Sequence, residues 1–373
     1  MKLFKTLFLY FLFFANFSFA ESQSKITEVL EPLVNEYIPG VVTVVATKDK
    51  ILDFQAIGFS NLEEKTPMKK DDLFWIASMT KPINAVAFMM LVDEGKVSLD
   101  DEVSKYIPEF KEMYVKQEDG LTLAKTAITM RQLLSHSAGL VHCKSERGYD
   151  KMTLKDRMIE YAKQPLEVEP NTKHIYSNTS VGVTARVIEI VSGISYMQFM
   201  QERVFTPLEM KDTTFIPSEE QVARLVTTYT ADETDTKFVP KKIDMLTHPL
   251  SDANRESFPG GGLFSTAYDL LNFCQMMESK GVYKGKRLLS EESVKELTSK
   301  QAPCDSYYGL SFYSPPPYYG HAGGYKTRMT TFREKELILI YLVQCQKEFP
   351  KEGNAKAEKL FEQTAFEIYD ESK

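Results

Sequence analysis

The sequence predicts an α/β fold of the α+β type, with an antiparallel sheet built from the N- and C-terminal parts and flanked by helices. Apolar residues near both ends of the chain alternate with the period of β-strands, whereas those in the middle recur with the period of amphipathic helices. When strands from both ends of a chain pair in one sheet, the segment between them forms an insertion. We therefore expect an all-helical insertion at about 100–262 within a single domain, residues 21–373.

Composition limits the classes of function. The chain has 373 residues, of which 43% are hydrophobic and 26% charged, and no low-complexity run, which is typical of a globular protein with a packed core. Its formal net charge is -7. Nucleic-acid binding needs a basic surface, so we expect no nucleic-acid partner. The composition leaves the oligomeric state open.

The first twenty residues, "MKLFKTLFLYFLFFANFSFA", have the organisation of a secretory signal. Two lysines precede an apolar run at 7–15, and Ser18-Phe19-Ala20 forms a small-x-small cleavage site. A membrane anchor is the alternative, but the run is short for a span and the polar residue Asn16 follows it directly. We expect an exported protein, periplasmic or secreted, without stable membrane insertion after cleavage of residues 1–20.

The N-terminal elements follow from periodicity and turn residues. Apolar spacing predicts a helix over 25–37, and alternation predicts two strands within 40–60 around the polar turn at 48–50. A helix over 81–94 ends at Gly95, and another begins after Thr129. The chain therefore opens as helix, strand, strand and helix.

The remaining elements are a helical middle and a strand-rich end. A helix is expected from Asn178 to Val191 with Gly193 beyond its end, and residues 216–262, with four prolines, are expected to be a long loop that covers a cleft. Further elements are expected as a helix at 266–280, strands at 308–314, 325–332 and 336–345, and a helix at 355–369.

The cysteines and histidines suggest no metal or cofactor. The four cysteines are Cys143, Cys274, Cys304 and Cys345, and they form no CxxC pair. We expect mostly free, buried thiols, although an exported protein with an even number allows one or two disulfides. The histidines outside the third motif described below have no metal-ligand spacing. We therefore expect neither a metal nor an organic cofactor.

The stretch "FWIASMTKPINAV" contains a candidate nucleophile. Ser78 and Lys81 lie three positions apart at a predicted helix start, so they share one helix face. A serine hydroxyl needs a base within hydrogen-bond reach, and apolar neighbours favour the neutral amine that a lysine base requires. Ser22 and Lys25 have the same spacing in a polar stretch, so spacing alone decides nothing.

Two later patterns are candidates for the same site. Tyr176 and Asn178 lie two apart in "HIYSNTSVG", where the alternative is a core tyrosine and a helix-capping asparagine. His321 and Gly323, followed by Gly324, lie directly before a predicted strand in "YYGHAGGYKT". The two glycines permit a ligand to approach the backbone closely.

In this order the three patterns resemble the motifs of the serine β-lactamase and penicillin-binding-protein superfamily, in its class C β-lactamase-like branch with esterases and D-amino-acid peptidases. "ITMRQLLSHSAGL" and "FPGGGLFSTAYDLLNF" agree, and the resemblance runs from about residue 25 to 345. It implies an acyl-enzyme on Ser78, with Lys81 and Tyr176 sharing proton transfers and Asn178 positioning Lys81 and substrate. The N–H groups of Ser78 and Gly324 would form an oxyanion hole.

One position departs from the family pattern. The third motif usually begins with lysine, a permanent cation, whereas His321 is largely neutral at neutral pH. This favours small esters or amides as substrates over β-lactams or D-Ala-D-Ala termini. Lys326 and Arg328 on the next strand would replace the charge only if they face the cleft, and solvated strand residues are the alternative.

Three functions remain open. The first is an exported serine hydrolase that cleaves small esters or amides. The second is a β-lactamase, D-alanyl-D-alanine carboxypeptidase or D-aminopeptidase that acts on cell-wall-type substrates. The third is a catalytically silent module that binds peptidoglycan or a partner, which would have no use for a serine, a lysine and a tyrosine in this order.

Overall fold

The computed structural model describes residues 24–142, 148–303, 306–347 and 352–373. The predicted signal peptide, 1–20, lies outside the described residues, as do Cys143 and Cys304. Along the chain the helices are α1 (Lys25–Leu30), α2 (Thr80–Asp93), α3 (Met130–Leu134), α4 (Leu154–Ala162), α5 (Asn178–Ser192), α6 (Tyr196–Phe199), α7 (Glu219–Ala223), α8 (Ala267–Glu278), α9 (Glu291–Thr298) and α10 (Gly353–Glu371).

The strands divide into one large sheet and several short pairs. They are β1 (Gly40–Thr47), β2 (Ile51–Asn61), β3 (Thr66–Pro67), β4 (Phe74–Trp75), β5 (Tyr114–Gln117), β6 (Gly120–Leu123), β7 (Tyr229–Ala231), β8 (Phe238–Pro240), β9 (Phe264–Ser265), β10 (Val282–Tyr283), β11 (Lys286–Arg287), β12 (Tyr318–Gly323), β13 (Thr327–Phe332) and β14 (Leu337–Leu342). The large sheet has the order β12-β13-β14-β1-β2-β3.

The N- and C-terminal parts meet in this sheet, as the sequence predicts. β1 pairs antiparallel with β14 on one side and β2 on the other, so Val44 lies opposite both Ile340 and Phe54. All pairings in the sheet are antiparallel. β12, which carries the third motif, is therefore an edge strand whose backbone is within reach of a ligand.

Helices cover both faces of the sheet because successive residues of a strand point to opposite sides. Val42 and Val44 of β1 belong to the larger hydrophobic cluster, to which α2 and α8 contribute. Val41 and Val45 belong to a second cluster, which α1 and α10 complete. The run of buried valines in β1 is thus explained by a strand enclosed between two layers.

The insertion at about 100–262 contains more helix than strand but is not all-helical, and much of it is irregular. It contains the hairpins β5–β6 and β7–β8, whose strands are only three or four residues long. Such short strands show too little alternation to distinguish them from loops. The predicted loop at 216–262 is otherwise irregular, apart from α7.

Three expected elements differ in their bounds. The first helix ends at Leu30 and continues as one 3₁₀ turn, because Pro32 lacks the N–H that an α-helix needs. Residues 308–314 form isolated bridges rather than a strand, since Ser311 adopts a φ of 62° in a turn. His321 lies inside β12 instead of before a strand, opposite Met329.

Two of the cysteines lie within the described residues. Both Cys274 and Cys345 are buried, as expected, and the Cys345 thiol donates to the Lys347 carbonyl at 3.1 Å. Burial raises the pKa of the Cys274 thiol to about 12, which keeps it protonated. In the part of the chain that the structure describes, no helix has both the length and the apolar character needed to span a bilayer.

Candidate active site

Ser78 lies at a sharp turn between a strand and a helix. It occupies the middle of a 3₁₀ turn, Ala77–Met79, that leads from β4 into α2, and its side chain is partly exposed. Ala77 has a φ of 46°, a left-handed conformation that costs a non-glycine residue about 1–2 kcal/mol. Backbone strain of this kind persists where the surroundings fix it. The turn presents the hydroxyl at the start of a helix, where backbone N–H groups lack intrahelical partners.

Lys81 is fully buried one helical turn after Ser78. Its Nζ lies 3.1 Å from Ser78 Oγ and 2.7 Å from Asn178 Oδ1, and it also donates to the carbonyl oxygen of Gly260. The amine is 4.6 Å from the centroid of the Tyr176 ring. Serine and amine therefore lie within the hydrogen-bond reach that nucleophilic catalysis requires.

The second motif is held in place by two histidines. Asn178 is the first residue of α5, after the N-cap Ser177. The backbone N–H of Ser177 donates to Nδ1 of His136 at 3.3 Å, and that of Asn178 donates to Nδ1 of His142 at 3.2 Å. The His136 ring also lies 4.7 Å from the Tyr176 ring. These contacts orient the tyrosine and the asparagine toward Lys81.

The third motif contacts the backbone next to the nucleophile. A Cβ on Gly323 would lie 2.5 Å from the carbonyl oxygen of Ile76 and 2.2 Å from Thr327 Oγ1, so only glycine permits this approach. The Thr327 hydroxyl donates to the same Ile76 carbonyl at 3.3 Å. Gly324 follows as an exposed residue of the turn after β12. The edge strand is thereby fixed beside the turn that carries Ser78.

His321 is buried and uncharged. Its Nδ1 lies 2.8 Å from the Ala322 carbonyl oxygen, and its Nε2 lies 2.9 Å from the Tyr308 hydroxyl. Burial and the nearby Lys81 lower the pKa of His321 to about 3. The sequence prediction of a neutral side chain at this position is thus supported by the surroundings of the ring.

Residues of the second and third motifs line a cleft of about 550 Å³. Its lining includes Tyr176, His321 and Gly323, and also Lys326 and Arg328. Both cations thus lie beside the third motif, and the alternative of solvated strand residues stays open for Lys326. The Arg328 charge is paired with Glu358 of α10, however, so it is partly neutralised within the cleft.

Several residues around the site were not assigned roles from the sequence. Gly260 accepts from Lys81, Tyr308 contacts His321, and His136 and His142 accept from the second motif. Gly260 and His136 lie in "FPGGGLF" and "LLSHSAGL", two stretches that agree with the family resemblance. The stretches did not indicate which residues these two side chains or carbonyls would contact. Their roles depend on long-range proximity, which spacing cannot reveal. Among the described residues, no group of His, Cys, Asp and Glu side chains has the arrangement of a metal site.

Comparison with known proteins agrees with this geometry. The Beta-lactamase family model matches residues 26–363. Protein Rv1367c of Mycobacterium tuberculosis is 31% identical over 324 residues, which cover 83% of this chain and 79% of the relative. Esterase EstB of Burkholderia gladioli is 31% identical over 194 residues, 48% of each chain.

A solved structure shares the fold over nearly the whole chain. EstCE1, described as a hydrolase with promiscuous acyltransferase activity, superposes with a TM-score of 0.76 at 21% identity, covering 91% of this chain and 97% of its own. Identity this low supports the fold alone, whereas the family match spans most of the sequence. The chain belongs to the β-lactamase family, as a serine hydrolase of the β-lactamase and penicillin-binding-protein superfamily.

Proposed function

We propose that the protein is an exported hydrolase that cleaves ester or amide bonds of small substrates through an acyl-enzyme on Ser78. The observation that carries this proposal is the position of the Lys81 amine, 3.1 Å from Ser78 Oγ and held by Asn178 and Gly260. A buried, triply held amine beside a partly exposed hydroxyl is arranged to move a proton rather than to be solvated.

The reaction has two balanced halves. In the first, Ser78 Oγ attacks the carbonyl carbon while its proton passes to the Lys81 and Tyr176 pair, and the alcohol or amine leaves with a proton from that pair. In the second, water attacks the acyl group, Ser78 regains its proton and the acid is released. The negative charge on the carbonyl oxygen would be stabilised by the N–H groups of Ser78 and Gly324.

The electrostatics of the cleft support a substrate without an obligatory carboxylate beside the scissile bond. His321 at the first position of the third motif is neutral, Arg328 is paired with Glu358, and Lys326 lies farther along the chain, in the turn after Gly324. Four tyrosines, Tyr176, Tyr308, Tyr313 and Tyr318, contribute to the lining. Aromatic walls with few fixed charges favour apolar acyl or alcohol groups. The relation to EstB, which is named an esterase, is consistent with this class.

Export is part of the proposal and rests on the N-terminal signal pattern of residues 1–20. We expect the mature protein to begin after Ala20 and to act in the periplasm or outside the cell. N-terminal sequencing of the protein from the extracytoplasmic fraction tests this. Material that starts at Met1 in the cytoplasm would contradict it.

The first experiment is intact-mass analysis of residues 21–373 before and after a fluorophosphonate probe. We expect one adduct on the wild type and on Ser98→Ala, an exposed control serine, but none on Ser78→Ala. An adduct that survives Ser78→Ala would reject this serine as the nucleophile. No adduct on wild type would favour the binding module.

Substrate class is then separated with three probes. We expect turnover of p-nitrophenyl esters and slower turnover of D-amino-acid anilides. We also expect little opening of a chromogenic cephalosporin, because His321 supplies no charge for the β-lactam carboxylate. Rapid cephalosporin hydrolysis would instead support the β-lactamase alternative.

A further inference from the structure

A buried carboxylate outside the three motifs closes a loop of the chain next to the candidate site. Asp150 is fully buried, and its side chain accepts from the Thr247 N–H at 2.6 Å, from the Thr247 hydroxyl at 2.7 Å and from Arg255 Nε at 3.0 Å. The side chains of Arg255 and Asp150 are 2% and 0% exposed. One carboxylate therefore fixes both ends of the segment 247–255.

The chain remains fixed beyond Arg255. The Glu256 N–H donates to the Asp150 carbonyl at 2.6 Å, and the Arg157 guanidinium donates to the Ser257 carbonyl at 2.7 Å. The single tryptophan, Trp75, donates through Nε1 to the Gly261 carbonyl at 2.7 Å. Residues 255–261 are thus held to their surroundings at four of seven positions, three times by buried side chains.

The segment 255–261 contacts Lys81 through Gly260. Between the Ser257 and Gly261 contacts, the Gly260 carbonyl accepts from Lys81 Nζ. A Cβ on Gly260 would lie 2.8 Å from Asn178 Cβ, so this backbone packs directly on the other acceptor of the amine. Because the backbone between them is held by these contacts, a shift of Arg255 is expected to move Gly260 as well.

We propose that the Asp150–Arg255 ion pair is a positioning device that places the Gly260 carbonyl and so orients the Lys81 amine toward Ser78. The inference rests on the proposed function, because it assigns the pair to the proton transfer at Ser78. Neither residue touches substrate. They act through the backbone of 255–260, and the effect is expected on acylation rather than on binding.

A purely stabilising role explains the pair poorly. Taking two charges out of water is costly, and apolar residues of similar volume often stabilise a protein as well as a buried ion pair does. The pair also restricts the geometry of the loop, since the Asp150 carboxylate accepts from both Thr247 and Arg255 and so holds the two ends of 247–255 together. The segment whose geometry it fixes is the one that carries the Lys81 acceptor.

The test compares acylation by a p-nitrophenyl ester in the wild type and in Asp150→Asn/Arg255→Gln, which keeps polar groups but removes both charges. We expect the acylation rate constant at saturating ester to fall by about tenfold or more, with KM little changed. A carbonyl acceptor favours the charged ammonium. Loosening it should therefore move the midpoint of the pH–rate profile to lower pH.

The control is Asp269→Asn, which alters another buried aspartate, whose carboxylate accepts from the Asp212 N–H and from the Thr213 hydroxyl, both at 2.8 Å. We expect a lower melting temperature but a wild-type acylation rate per folded molecule. Thr247→Val, which keeps the ion pair, should show a smaller loss in the same direction and serves if the double variant does not fold.

Two results would overturn the inference. One is a double variant that melts earlier but acylates at the wild-type rate with an unmoved pH profile. The other is an equal loss of acylation in Asp269→Asn, which would show that general destabilisation is the cause. A wild type that is not acylated at Ser78 overturns the proposed function instead, so the two failures are distinguishable.

Discussion

Tyr308 and His321 fix one another in a defined protonation state. The Ala322 carbonyl can only accept, so Nδ1 of His321 carries the proton, and Nε2 accepts from the Tyr308 hydroxyl at 2.9 Å. Burial raises the pKa of Tyr308 well above its usual value, which keeps it a donor. The first position of the third motif is therefore a neutral imidazole held as a single tautomer.

Replacing Tyr308 by phenylalanine tests this pair. The variant leaves the buried Nε2 of His321 without its donor, which should lower the free energy of unfolding by about 1–3 kcal/mol. Long-range proton–nitrogen NMR correlations should show the Nδ1–H tautomer in the wild type and in the variant, because the Ala322 carbonyl still accepts from Nδ1. Tyr307→Phe, at an exposed neighbour, is the control and should change neither quantity. A wild-type spectrum of the Nε2–H tautomer would contradict the assignment.

Acid should destabilise the protein through its buried histidines. Burial lowers the pKa of His136, His174 and His321 below the usual 6.5, to about 3 for His321. Below about pH 6.5 the unfolded chain binds protons that the folded chain does not, so stability falls with pH. His136 and His321, which are both buried, contribute a slope of up to about 2.7 kcal/mol per pH unit. Urea midpoints measured from about pH 7.5 to 5 check the sign.

Buried carboxyl groups with raised pKa values, among them Asp269, oppose this trend, and a variant of His321 measures the contribution of one histidine. Burial raises the pKa of Asp269 to about 6, so the folded protein gains a proton there as pH falls toward 4, and this offsets one histidine. His321→Gln should reduce the acid slope by about 1.4 kcal/mol per pH unit. An unchanged slope would mean that this imidazole is protonated in the folded protein.

Adding a methyl group at Gly323 should displace the edge strand from the nucleophile. The new Cβ would meet the Ile76 carbonyl at 2.5 Å and Thr327 Oγ1 at 2.2 Å, and overpacking of this kind costs about 1–3 kcal/mol. Thermal unfolding measures the loss. Gly324→Ala is a matched control because no heavy atom lies within 4 Å of its added Cβ, so its stability should stay near wild type. Equal stabilities would contradict the close approach.

Removing the amine of Lys81 should abolish acylation while keeping the side chain's length. Lys81→Met leaves Ser78 without the group at 3.1 Å, and the acylation rate constant should fall by about a hundredfold or more. Stopped-flow release of p-nitrophenol measures it. Lys326→Met, which alters another lysine of the cleft, is the control and should acylate normally with a neutral ester. Acylation retained in Lys81→Met would assign the base elsewhere.

The order of the major elements follows from local pattern because long strands and helices carry many repeats of their period. β1 is an eight-residue run rich in buried valines, and α5 has apolar residues at helical spacing over fifteen residues. The shorter elements are set by single residues and by partners distant in sequence. Pro32 shortens the first helix, and the bridge from Tyr313 to Gly320 replaces an expected strand.

In the candidate site too, contacts between residues close in sequence could be predicted, whereas contacts between distant residues could not. Ser78 and Lys81 are three residues apart, so their contact follows from helix geometry. The acceptors Gly260 and His136 reach the motifs across 179 and 41 residues. Contacts over such separations depend on how the chain closes, and a single sequence contains no periodic signal for them.

The indole of Trp75 is an intrinsic fluorescence probe of the segment beside Lys81. It is the only tryptophan in the sequence, it is 1% exposed, and its Nε1–H donates to Gly261 next to the residue that accepts from Lys81. Indole emission shifts with local polarity and hydrogen bonding. Because the sequence has one tryptophan, its emission reports on the surroundings of Trp75 alone. Rearrangement of the segment beside Lys81 during turnover would therefore be visible as a fluorescence transient in unlabelled, unmodified protein.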